Sequence, residues 1–216
     1  SSTTSISVVD AASDNNFDAV ADQTVSVSTT DDDVAGFTIV ELEGSTSVSE
    51  AGSTDTFTVV LDAQPDTNVI LSIISGDTGE ATVTSSLTFT SANWDTAQSV
   101  TVTGVDDHLV DGTETTTISV AVVDVASDDN FDAVADQTVS VSTTDDDVAG
   151  FTVTETDGST SVTEAGGTDT FTVVLDAQPD SNVVLSIASS DTGEATVTST
   201  LTFTSANWDT AQTVTV

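Results

Sequence analysis

The sequence predicts an all-β protein made of tandem antiparallel β-sandwich domains. Three observations carry this. Val, Thr, Ile and Phe recur in two-residue alternation, as in Thr56-Phe-Thr-Val-Val-Leu61, where Phe57, Val59 and Leu61 fall on one face. These runs are short and parted by turn residues, and no 3.6-residue apolar pattern accompanies them. The whole pattern then returns at an offset of 114 residues, the distance from Phe37 to Phe151. A period of that size suits one sandwich of about 100 residues, not a solenoid repeat of about 20–50.

The offset holds along the chain. Phe57 aligns with Phe171, Leu87 with Leu201 and Phe17 with Phe131. Residues 37–150 therefore form one full unit. Residues 1–36 match 115–150, the closing strands of a preceding repeat. Residues 151–216 match 37–102, the opening strands of a following one. Together the two partial units supply a whole domain except the part equivalent to 103–114. Two arrangements satisfy this phase. The chain is a segment of a longer array, or strands 151–216 of one molecule pair with strands 1–36 of the next, head to tail.

Within the unit the strands follow in order. Phe37-Thr-Ile-Val opens it and Thr56–Leu61 follows. Asn68-Val-Ile-Leu-Ser-Ile-Ile74 is more continuously apolar. Leu87-Thr-Phe-Thr, Gln98-Ser-Val-Thr-Val-Thr, Thr117-Ile-Ser-Val-Ala-Val-Val and Gln137-Thr-Val-Ser-Val-Ser complete the set. Gln64-Pro-Asp, Ser75-Gly-Asp-Thr-Gly, Ser91-Ala-Asn and Asp111-Gly mark the turns between them. Seven or so strands are expected.

Charge sets the functional problem. The chain of 216 residues has 37 Asp plus Glu, no Lys or Arg, and a formal net charge of −37. Such a charge opposes a compact state by self-repulsion. Acidic chains that stay disordered are poor in apolar residues, but here 37% are hydrophobic. The charge must be balanced by diffuse solvent cations, bound metal, or both. Nucleic acid and anionic membrane are not expected as partners, because both need basic side chains. Without cysteine there is no disulfide and no thiolate zinc site. Without lysine there is no Lys–Asn isopeptide staple. No apolar run reaches 18 residues, so no helical span and no membrane insertion is expected.

Most Asp residues stand singly in turns, where they favour the turn and keep the surface soluble. Three clusters differ: Ser47-Val-Ser-Glu-Ala-Gly52; Val105-Asp-Asp-His-Leu-Val-Asp-Gly-Thr-Glu114; and Asp145-Asp-Asp147, which recurs as Asp31–Asp33. Calcium suits them, since it takes six to eight oxygen ligands in flexible geometry. The middle cluster is not an EF-hand, because Leu109 and Ile118 fall on ligand positions. The alternative is an acidic surface held soluble by salt, as in halophile proteins.

Val-x-Glu-x-Gly near the start, Val-Asp-Asp with later acidic residues in the middle, and Asp-Asp-Asp-x-Ala-Gly-Phe at the end resemble the Calx-β domain. That family is the calcium-binding sandwich of sodium–calcium exchangers, found also in long arrays on bacterial surface proteins. The resemblance spans 37–150 and both partial units. It implies an Ig-like, Calx-β-like sandwich with Ca2+ as the bound ion. It also implies ligands at Glu50, Asp106, Asp107, Asp111 and Asp145, Asp146 and Asp147, with Glu114 a further acidic position. Asp77, in Ser-Gly-Asp-Thr-Gly, is a candidate from another loop at that pole. In the partial units the matches are Glu164 and Asp191, and Asp31, Asp32 and Asp33. Asp111 stands where the family often has Glu, and His108 interrupts the acidic loop; His108 is read as a solvated loop residue or a ligand. Trp94 and Trp208 are read as packing residues or a sugar platform.

The expected function is a structural segment of a long extracellular array or filament on a cell surface. Neighbouring copies of the repeat would be its partners, and calcium at the junctions would stiffen the rod. Gly150-Phe151 begins the next strand just after Asp145–Asp147, so the linker is almost absent. The alternative is an adhesive module gripping carbohydrate or a cell-surface partner through loops near Trp94 or Gln64-Pro-Asp. No enzyme is expected, with one histidine, no cysteine and no nucleophile motif. Carboxylates paired for glycoside hydrolysis would need a cleft.

Overall fold

The structure, a computed structural model, describes residues 1–216 as two compact bodies, 1–34 and 35–216. The first body is a hairpin. Strands β1 (Ser2–Ile6) and β2 (Gln23–Val27) pair antiparallel, with Ser2 opposite Val27 and Ile6 opposite Gln23. A 3-10 turn at Asp10–Ala12 lies in their connection. Two strands alone cannot bury an apolar face, and no residue of 1–34 is buried.

The second body contains the full repeat. Its strands are β3 (Phe37–Glu41), β4 (Thr46–Ser49), β5 (Thr54–Leu61), β6 (Val69–Ser75), β7 (Ala81–Val83), β8 (Ser86–Phe89), β9 (Gln98–Gly104), β10 (Thr113–Val122) and β11 (Gln137–Thr144). They form a five-stranded sheet, β4-β11-β10-β6-β8, and a four-stranded sheet, β3-β5-β9-β7. All pairs are antiparallel except β4 with β11. The fold class expected from alternation is thus present. The strand count is nine, because β4 and β7 are too short to show a period of two.

The core is the sum of the inward residues. Phe57, Val59 and Leu61 from β5 meet Val69, Leu71 and Ile73 from β6, with Phe89, Val100, Val102, Ile118, Val120 and Val141. The long connection from β10 to β11 is held under the sandwich. Phe131 is buried there. Asp128 Oδ2 accepts the backbone N–H groups of Asp66 (2.7 Å) and Thr67 (2.9 Å), and Ser127 Oγ accepts that of Ile70 (2.9 Å). The N–H groups of Thr67, Asn130 and Asp66 hold the Asp128 carboxyl below its ordinary range.

Residues 151–216 continue with β12 (Phe151–Glu155), β13 (Thr170–Leu175), β14 (Val183–Ser186), β15 (Thr200–Phe203) and β16 (Gln212–Thr215). They make one sheet, β12-β13-β16, and a separate pair, β14-β15, around a small core of Val173, Leu175, Leu201, Phe203 and Val214.

Candidate metal centre

The sandwich 37–144 gathers its carboxylates at one pole. Glu50 leaves β4 in a tight turn, where the Gly52 N–H donates to the Ser49 carbonyl (3.2 Å) and Gly52 takes φ +79°. Its own N–H donates to the Thr144 carbonyl (3.1 Å), which ties it to the end of β11. Asp106 and Asp107 follow β9. The Asp107 Oδ1 accepts the Leu109 N–H (2.6 Å), so the loop curls over its own carboxylate. Asp111 precedes Gly112 (φ +86°), whose N–H donates to Asp145 Oδ2 (2.9 Å) while its carbonyl accepts the Asp145 N–H (3.2 Å). The Asp147 N–H in turn donates to Asp145 Oδ1 (2.7 Å).

Three triads result, each with ligand atoms within 4.8 Å of one another: Glu50–Asp107–Asp111, Glu50–Asp145–Asp147 and Asp106–His108–Asp147. Glu50 belongs to two of them and is 1% exposed. Its Oε2 has no hydrogen-bond partner, and the same holds for Asp147 Oδ2 and Glu80 Oε2. A buried carboxylate without a donor is costly as an anion. Burial, then the fields of Asp107, Asp111, Asp145 and Glu80, push the Glu50 carboxyl up to about 7. Burial and neighbouring carboxylates raise Glu80 and Asp111 likewise. Asp147 is raised by burial, against the opposing pull of His108.

The donor set fits calcium. Five carboxylates (Glu50, Asp107, Asp111, Asp145 and Asp147), all hard oxygen donors, make up the two triads that share Glu50, and calcium accepts such donors in flexible geometry. The triad with His108 mixes a nitrogen into the set and is the least suited to that ion.

The other expected ligands lie elsewhere. Asp146 is exposed and outside the triads. Asp77 Oδ1 accepts the Gly79 N–H (2.9 Å), and Asp77 shares a shallow groove with Glu80, Asp111 and Glu114 next to the pole. Asp31, Asp32 and Asp33 are exposed in the first body. Glu164 and Asp191 are exposed, and Asp191 Oδ1 accepts the Gly193 N–H (2.9 Å). One pole residue was missed. Glu80 sits just before β7, and its carbonyl accepts the Val105 N–H (2.9 Å), stitching the turn to the Asp106–Asp107 loop. The only signal for it was its place three residues after Asp77.

The pole touches the next repeat. The His108 carbonyl accepts the Gln178 N–H (2.7 Å), and Leu109 bridges Gln178. The His108 ring lies 5.5 Å from that of Trp208, tilted by 54°. His108 is an exposed loop residue, as expected, and also contacts the next repeat. Trp94 and Trp208 pack against the two cores, as packing residues do.

No protein-family model and no curated protein matches the chain. Solved structures with similar shape include the apo form of the Calx CBD1 domain (16% identity, 51% of this chain and 98% of that one, TM-score 0.38). Two others are CBD12 from CALX1.2 (16%, 82% and 73%, 0.38) and domains 1–6 of the surface layer protein SbsC (15%, 92% and 23%, 0.39). At these values they carry no functional argument. No helix is long and apolar enough to cross a membrane.

Proposed function

We infer that this chain is a structural, non-catalytic segment of an extracellular repeat array at a cell surface, and that calcium bound at the pole of residues 37–150 stiffens its junction with the next repeat. One observation carries the calcium reading: Glu50 is buried, shared by two carboxylate triads, and has an oxygen with no hydrogen-bond partner. In a chain without Lys or Arg, a bound cation would balance the charge of that geometry when Glu50 is ionised. Two adjacent centres sharing Glu50 follow from the triads. The first uses Asp107 and Asp111, the second Asp145 and Asp147.

The structural role rests on the same pole. The loop Asp106–Asp111 both supplies ligands and touches Gln178 and Trp208. An ion that orders this loop orders the junction. The adhesive reading draws no such support, since both tryptophans are turned to packing. Calorimetric titration of the chain with calcium tests the reading. Saturable binding is expected, weakened at least about tenfold by Glu50→Gln, which removes one charged ligand from both centres. No heat at millimolar calcium would leave diffuse salt as the counter-charge and refute it.

A further inference from the structure

The geometry points to a second kind of metal site at the pole: Asp106, His108 and Asp147 form a centre for a divalent transition metal of the zinc class. This does not rest on the calcium reading, whose two centres share Glu50 and use neither Asp106 nor His108. All three residues lie within the full repeat 37–150.

The donor set separates this centre from the others. His108 is the single histidine of a chain without cysteine, so its ring is the one imidazole or thiol donor the protein has. Calcium and magnesium take oxygen ligands, whereas zinc, copper and nickel accept imidazole. The fold does not leave that ring alone in solvent. Its ligand atom and those of Asp106 and Asp147 all lie within 4.8 Å of one another. One imidazole nitrogen and two carboxylate oxygens make three protein ligands. Three protein ligands with a fourth position for water is the arrangement of an open zinc site.

The frame is built without the ligands' own contacts. Asp107 Oδ1 accepts the Leu109 N–H (2.6 Å), which curls the loop that carries Asp106 and His108. On the opposite side, the Asp147 N–H donates to Asp145 Oδ1 (2.7 Å). Asp145 is bonded to Gly112 in both directions, through its N–H and its Oδ2. The segments after β9 and β11 are thus held together by backbone groups, and the three side chains stay available.

A second observation calls for a cation there. Asp147 Oδ2 is buried and has no hydrogen-bond partner, so the neighbouring ring does not satisfy it. A buried carboxylate oxygen without a donor is costly as an anion. A protonated imidazole offers one positive charge at a distance. A divalent ion offers two in direct contact, and it takes the ring in its neutral form. The site also lies where one repeat meets the next, because the His108 carbonyl accepts the Gln178 N–H (2.7 Å).

The test uses the full chain in raised monovalent salt, which suppresses diffuse cation binding to the acidic surface. Zinc is titrated by calorimetry and followed by NMR through the ring carbon–proton signals of the lone histidine. Saturable binding is expected, with the histidine signals moving to a bound position as it saturates. Affinity should rise in the order Mn2+, Co2+, Cu2+. His108→Gln and Asp106→Asn, both at exposed positions, should each weaken zinc about tenfold or more. His108→Gln should keep the wild-type calcium titration, which shows that the pole is still folded. Zinc affinity unchanged in His108→Gln would overturn the proposal. So would histidine signals that stay in place at saturating zinc, since zinc would then be one more counter-ion of the surface. Zinc held through His108 in a chain that takes no calcium would uphold it and refute the calcium reading alone.

Discussion

Glu50 shows how one residue couples charge to stability. Its folded carboxyl is raised from 4.5 to about 7, so the metal-free fold holds a proton that the unfolded chain gives up. Stability from this group is present below about pH 4.5 and falls as pH rises toward about 7. Glu80, Asp111 and Asp147, also raised, act in the same direction. Asp128 acts in the opposite one. Its lowered carboxyl stabilises the fold above its ordinary value of 3.8, and that contribution is lost as pH falls through the folded value. The metal-free chain should therefore melt at a higher temperature near pH ~5 than near pH ~8, while the gain from calcium should grow over that span, because the metal needs the deprotonated form. Glu50→Gln separates the two effects. Calorimetric melting at about pH 8 should find it more stable than wild type without metal, by about 2 kcal/mol, and with most of the calcium gain gone. A destabilised metal-free variant would contradict this.

At the scale of elements, the pole depends on how closely β4 passes β9. A Cβ on Gly104 would overlap the Ser49 carbonyl, next to Glu50, and touch Val48. Gly104→Ala should cost about 1–3 kcal/mol, read by denaturant unfolding, and should lower calcium affinity by displacing the Glu50 turn. An unchanged affinity would show that β4 does not set the position of Glu50. The longer strands were legible because Phe57, Val59 and Leu61, or Leu87 and Phe89, repeat at every second residue. β4 and β7, with four and three residues, were not. The three acidic clusters were legible as runs, and the fold brings Glu50, Asp107, Asp111, Asp145 and Asp147 together from three separate segments. Glu80 was not legible, since a lone Glu before a short strand looks like any solvated turn residue. Neither was the role of His108, whose contact with Trp208 spans 100 positions of sequence.

For the whole molecule, the question is how a chain of net charge −37 joins one repeat to the next. The His108–Gln178 hydrogen bond and the Trp208 contact define the junction in the body 35–216, and both spring from the loop that carries Asp106, Asp107 and Asp111. Limited proteolysis should cut at residues 148–150 more slowly in calcium than in chelator at equal ionic strength. Equal rates would mean that protein contacts alone fix the joint. The most direct measurement is crystallographic. Crystals grown in calcium should give anomalous peaks at the pole, one between Glu50, Asp107 and Asp111 and another between Glu50, Asp145 and Asp147, each about 2.3–2.6 Å from carboxylate oxygens. A well-ordered pole with no peak, and Glu50 hydrogen-bonded to water or to a neighbouring carboxyl, would contradict the account.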